Sequence, residues 1–114
     1  MTPLEHQVTA IAQRLVRGTL LESWEIRIRE NDLPLDTAAE VTVEPDHAVA
    51  SLKITPSWAD RAIIGLEAII AHELGHCITD EFLDYLPDGQ ARNNAQERLA
   101  SVVGNLLVLR NPAD

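Results

Sequence analysis

Residues His72, Glu73, Leu74, Gly75 and His76 form an H-E-x-x-H run at the end of a long apolar segment, Ala62-Ile63-Ile64-Gly65-Leu66-Glu67-Ala68-Ile69-Ile70-Ala71. That segment is too long and too continuously apolar for a half-buried strand and is rich in good helix formers, so it predicts a helix. Ile63, Leu66, Ile70, Leu74 and Cys77 then fall on a wide apolar arc that must find a core, whereas Gly65, Ala68, His72, His76 and Thr79 share another face. Two histidines four apart lie on one face, about 6 Å apart at Cβ, so both imidazoles can reach one tetrahedral ion. Glu73 is turned by roughly 100° from His72, close enough to meet a water on that ion without taking a ligand position. The chemistry implied is zinc-assisted hydrolysis: zinc lowers the pKa of a bound water from about 16 towards about 7, and a neighbouring carboxylate takes the proton and returns it to a leaving amine. The competing reading is a pair of surface histidines that happen to flank a glutamate.

Catalytic zinc takes three protein ligands plus water, so a third ligand is needed. No histidine follows His76, and the H-E-x-x-H-x-x-G-x-x-H pattern fails at Thr79 and Phe82. His6 and His47 lie upstream. Of the downstream acids Asp80, Glu81, Asp84, Asp88, Glu97 and Asp114, only Glu97 falls inside another long apolar-periodic segment. Leu99, Val102, Val103, Leu106 and Leu107 give that segment an expected core stripe, and Glu97, Ala100, Ser101 and Gly104 form a neighbouring stripe of one acid and three small residues. Small residues permit close helix approach, which would carry the Glu97 carboxylate to the two histidines. The alternative for Glu97 is a solvated acid paired with Arg98 or Arg92.

With His72, Glu73, His76 and Glu97 in place, residues 50 to 105 resemble the gluzincin metallopeptidases related to thermolysin, and more closely the very small single-domain gluzincins of bacteria and phages. In that family the third ligand is a glutamate on the next helix, roughly twenty residues beyond the second histidine, and Glu97 lies 21 residues after His76. The resemblance implies zinc as cofactor, a peptide or protein substrate, and Tyr85, between the two helices, as donor to the developing oxyanion; the alternative for Tyr85 is an aromatic anchoring its loop. One departure stands out. Where such families place an acid four residues after the ligand glutamate, this chain has Ser101, so support for the zinc histidines is expected from Ser101, a backbone carbonyl or Asp80.

At 114 residues the chain, 1-114, reads as a single domain long enough for one core, and its hydrophobic content of 46% argues for a globular fold without linkers or repeats. The N-terminus lacks a basic and apolar leader, and no apolar run is long enough to span a membrane, so a cytoplasmic protein without membrane partners is expected. The lone Cys77 agrees with a reducing compartment and reads as core filler. Eighteen acids against nine bases give a net charge of −9, which disfavours a nucleic-acid partner because phosphate contacts need clustered Lys and Arg. Oligomeric state is not legible.

Thr2 as N-cap, Pro3 at the first helical position and Glu5 closing a capping box mark an N-terminal helix with the stripe Leu4, Val8, Ile11 and Leu15. Trp24 to Arg29 alternates apolar and charged residues as a half-buried strand does, and Asn31 to Asp36 turns the chain. Ala39 to Glu44 and Val49 to Thr55, flanking Pro45-Asp46, predict a hairpin. Ser57 and Asp60 make a second capping-box start, Leu86-Pro87-Asp88-Gly89 separates the two ligand-bearing helices, and Asn111-Pro112 ends the last. This order predicts an α+β fold with a small three-stranded sheet covered on one side by helices. The resemblance adds a zincin-like core in which the edge strand before the metal helix holds an extended substrate. That assigns Ala50, Ser51, Leu52 and Lys53, within the segment 48 to 55, to substrate binding by β-augmentation, with Trp58 either lining the cleft or packing. The expected function is a zinc-dependent peptidase. Its rivals are a catalytically silent zinc-stabilised peptide-binding or regulatory module and a metal-free interaction domain.

Overall fold

The computed structural model describes residues 1–34, 37–56 and 65–110. Helix α1 spans Pro3–Val16 and begins as its sequence requires: the Thr2 hydroxyl accepts from the Glu5 N–H at 3.1 Å, and the Glu5 carboxylate accepts from the Thr2 N–H at 2.8 Å. Glu5 also accepts from the Glu30 N–H at 2.9 Å, so the cap ties the helix to the end of the first strand. Val8 and Leu15 are fully buried with Ala12 and Val16, while Leu4 and Ile11 pack at the margin.

Strands β1 (Glu25–Glu30), β2 (Ala39–Glu44) and β3 (Val49–Ile54) form one mixed sheet in the order β1-β3-β2. β2 and β3 are the expected antiparallel hairpin, turned by the 3-10 helix Pro45–His47 and by Ala48 in the left-handed region at φ 53°. β1 joins β3 in parallel, from Glu25↔Val49 to Glu30↔Ile54. The pleat then sorts the faces: Ile26, Ile28, Val41, Val43, Ala50, Leu52 and Ile54 join the core, whereas Glu25, Arg27, Arg29, Glu40, Thr42, Glu44 and Lys53 stay in solvent.

The order corrects one expectation. β3 is the centre of the sheet, with its N–H and C=O groups engaged by β1 on one side and β2 on the other, so Ala50, Ser51, Leu52 and Lys53 offer no free edge to a peptide. The edge nearest the metal-binding motif is β2, which packs beside the next helix.

Helices α2 (Gly65–Thr79) and α3 (Gln90–Arg110) complete the layer over the sheet, joined through a 3-10 helix at Asp80–Leu83. Leu66, Ile70, Leu74 and Cys77 are buried, as the apolar arc of α2 requires. α2 is tied to α1 by an Arg14–Glu67 ion pair. The capping pair Ser57 and Asp60, Trp58, Ile63, the end of the 31 to 36 turn and the Asn111-Pro112 stop lie outside the described residues.

α3 turns a different face inward from the one its large apolar residues suggest. Ala100, Gly104 and Leu107 are buried, with Val103 and Val108 at the margin, whereas Leu99, Val102 and Leu106 are 38%, 51% and 57% exposed. The reason is the closeness of α2. A Cβ on Gly104 would lie 2.8 Å from the Ala71 carbonyl group, and one on Gly75 would overlap the Ala100 carbonyl oxygen, so only the small-residue stripe fits between the two backbones.

Candidate metal centre

The close approach of α2 and α3 brings His72, His76 and Glu97 together. His72 Nε2 lies 3.1 Å from His76 Nε2 and 2.9 Å from Glu97 Oε2, and His76 Nε2 lies 3.2 Å from Glu97 Oε1. A tetrahedral site with bonds of about 2.0–2.1 Å holds its donors about 3.3 Å apart, close to these separations. Among the described residues these three form the only group of three or more His, Cys, Asp or Glu side chains whose ligand atoms lie this close, within 4.8 Å of one another. His6 and His47 are exposed on other elements, and Cys77 faces the core, where burial pushes its thiol up to about 12.

The outer nitrogens are also placed. His76 Nδ1 lies 2.9 Å and 3.1 Å from the two oxygens of Asp80, one turn further along and at the start of the 3-10 helix. A carboxylate only accepts, so in the neutral ring Nδ1 carries the hydrogen and Nε2 keeps its lone pair for the shared point. Burial by itself lowers the pKa of His76, but the Asp80 hydrogen bond and the charges of Asp80, Glu97 and Glu73 outweigh it and the net shift is upward. His72 Nδ1 lies 3.1 Å from the Ser101 hydroxyl, which can accept in the same way but without a charge. The two rings meet edge to face with centroids 4.7 Å apart.

Glu97 owes its position to more than the helix interlock. Arg92, five residues before it, donates to Asp84 at 2.9 Å, to Asp88 at 2.8 Å and to the Leu86 carbonyl at 3.4 Å, which staples the connecting turn to the start of α3. Arg92 is thereby engaged with Asp84 and Asp88, and Glu97 turns to the histidines.

Glu73 stands beside this group, half-buried in a cleft wall. Its pKa is pushed up to about 7, chiefly by burial, with Glu97, Asp80 and Glu40 adding to the rise and His76 opposing it. A bound cation would draw it down again.

Two pockets, each about 390 Å³, flank the group as separate lobes. One is lined by Thr37, Ala38, Ala39, Ala68, Ile69, His72 and Glu73; the other includes Val41, Val43, His76, Asp80, Glu81 and Asp84. Tyr85 is 78% exposed in the turn beyond the 3-10 helix, and neither lobe includes it in its walls. Sequence reading left Asp80 as one of several supports and did not find the wall formed by residues 37 to 43, because strand order carries no local signal. No family model, curated protein or solved structure matches this chain.

Proposed function

We propose that this protein is a zinc-dependent peptidase of the gluzincin type. The observation that carries the reading is the convergence of His72, His76 and Glu97 on one point with the Glu73 carboxyl beside it. Two neutral imidazoles and a carboxylate are a borderline-soft donor set that suits zinc. When bound there, zinc supplies Lewis acidity and makes a water nucleophilic near neutral pH.

The residues of the chain divide the remaining work. Glu73 accepts the proton from the attacking water at a carboxylate oxygen and later gives it to the leaving amine, a role open to a carboxylate that stands beside the ligands without being one of them. Asp80 and Ser101 hold the imidazoles in the orientation that presents both Nε2 atoms. The family resemblance suggests Tyr85 as the oxyanion donor, but its exposed side chain is in the walls of neither lobe, so zinc and Glu73 carry the reading without it. Substrate lies along β2. The Thr55 N–H donates to the Ala38 carbonyl at 3.0 Å, so the antiparallel alternation engages residues 40, 42 and 44 with β3 and turns the N–H and C=O groups of Ala39, Val41 and Val43 outward. Among the described residues no strand covers that edge, and an extended peptide added there would run past His72, Glu73 and His76.

The test is cleavage of a mixed peptide library by the zinc-loaded protein, read by mass spectrometry, beside Glu73→Gln. Cleavage that falls by about 10²- to 10⁴-fold in the variant, with zinc retained, is the expected result. Retained peptide binding without cleavage by either protein would favour the zinc-stabilised binding module, for which the open β2 edge suffices.

A further inference from the structure

We propose that the lobe on the His76 side of the metal centre is a subsite for a lysine or arginine side chain, with Glu81 as the residue that selects it. The peptide cut here then carries a basic residue on one side of the cleaved bond and an uncharged one on the other, an inference that rests on the peptidase reading above. The two lobes have the same volume, about 390 Å³, and different chemistry. One is walled by Ala38, Ala39, Ala68 and Ile69, with Glu73 as its only acid. The other sets an apolar wall of Val41, Val43 and Pro45 beside three acids, Asp80, Glu81 and Asp84, and no Lys or Arg lines it.

Acids on a surface turn are ordinary in a chain that has eighteen. These are set apart by the apolar wall they share and by His76, which lines the same lobe. Lysine and arginine carry an aliphatic stem beneath a charged head, and the lobe offers a surface for each. Two of the acids are already engaged: Asp80 accepts from His76 at 2.9 Å, and Asp84 accepts from Arg92 at 2.9 Å. Glu81 is exposed, and among the described residues no side-chain hydrogen bond or ion pair takes up its carboxylate, so it is the one left to meet an incoming cation. β2 spans both lobes, with Ala39 in the wall of the first and Val41 and Val43 in that of the second. An extended peptide along its edge presents alternate side chains to one face, about 7 Å apart, so the pair on that face that straddles the cleaved bond is two residues apart. One member of the pair meets Ala68 and Ile69, and the other meets Glu81. A basic side chain gains affinity at the second position, and an acidic one is rejected there by like charge.

The experiment reads binding and cleavage separately. Fluorescent peptides of one neutral sequence, carrying a single Lys, Leu or Glu, are titrated by anisotropy into the zinc-loaded Glu73→Gln protein and are also incubated with the zinc-loaded parent. The lysine peptide binds at least about tenfold more tightly than the glutamate peptide. Glu81→Lys, added to Glu73→Gln, narrows or inverts that preference, whereas Glu25→Lys, the same change of net charge on the far strand of the sheet, leaves it in place. Glu81→Gln, which preserves the shape of the side chain, narrows it too and keeps the test sound if Glu81→Lys disturbs the turn. The parent cuts at one fixed distance from the lysine wherever the lysine is placed. Equal binding of the lysine and glutamate peptides, no binding of either, or equal effects of Glu81→Lys and Glu25→Lys overturn the subsite. Cleavage that ignores the position of the lysine overturns it while leaving the peptidase reading intact. A Glu81-dependent lysine preference in binding, with no peptide cut by the parent, supports the subsite and overturns the peptidase reading instead.

Discussion

Each of the two histidines has one nitrogen facing the shared point and the other held by a different kind of group, and that difference is testable. Asp80 accepts from His76 through a charged carboxylate, whereas His72 has only the Ser101 hydroxyl. Asp80→Asn is expected to weaken zinc binding by about 10- to 100-fold in a chelator competition titration, and Ser101→Ala by less. Equal losses, or none, would show that the rings are held by packing alone. Glu5 gives a second prediction at this scale. Its carboxyl is held below its ordinary pKa by the Thr2 and Glu30 N–H groups, so it favours the folded state above about pH 4.5 and that contribution disappears as pH falls through the lowered folded-state value. Urea melts of the protein and of Glu5→Gln therefore differ most near neutrality and converge as the pH is lowered; a gap that does not shrink with falling pH would contradict the assignment. These residues were legible because their signals are local: T-P-x-E at a helix start and H-E-x-x-H on a helix face each fix their own geometry.

At the scale of elements, the site depends on how closely two helices approach. Gly75 and Gly104 each replace a side chain with the backbone of the opposite helix, and that contact sets where Glu97 falls relative to His72 and His76. Alanine is normally the better helix former by about 1 kcal/mol, so on propensity alone Gly104→Ala would stabilise the protein. The contact reverses the sign: Gly104→Ala and Gly75→Ala are expected to destabilise by about 1–3 kcal/mol in chemical denaturation, as overpacked sites do, and to weaken zinc binding. A stabilised variant with full zinc affinity would show that the helices are free to separate. The same closeness explains why Leu99, Val102 and Leu106 were misread as core. Large apolar residues at helical spacing look like an inward stripe, but an interhelical gap this narrow admits only Ala100 and Gly104, and the leucines are turned outward. Glu97 itself was legible because it shares the small-residue stripe.

For the whole molecule, the α+β order of a capped helix, a strand, a hairpin and two further helices followed from periodicity and turn residues, while the sheet order did not. Alternation tells which face of a strand is buried and nothing about which strand lies beside it, so the parallel pairing of Glu25–Glu30 with Val49–Ile54, and with it the displacement of the free edge to Ala39–Glu44, had no sequence signal. Among the described residues the strand edge beside the cleft therefore belongs to Ala39–Glu44, which the sequence marked as a strand but not as part of the site. Among the described residues no helix is long and apolar enough to cross a membrane. If α2 and α3 hold a metal through His72, His76 and Glu97, elemental analysis of the purified protein beside Glu97→Ala after identical chelator washing finds one zinc per chain in the parent and its loss or marked weakening in the variant. Zinc held equally well without Glu97, or absent from both, would rule out the three-ligand site.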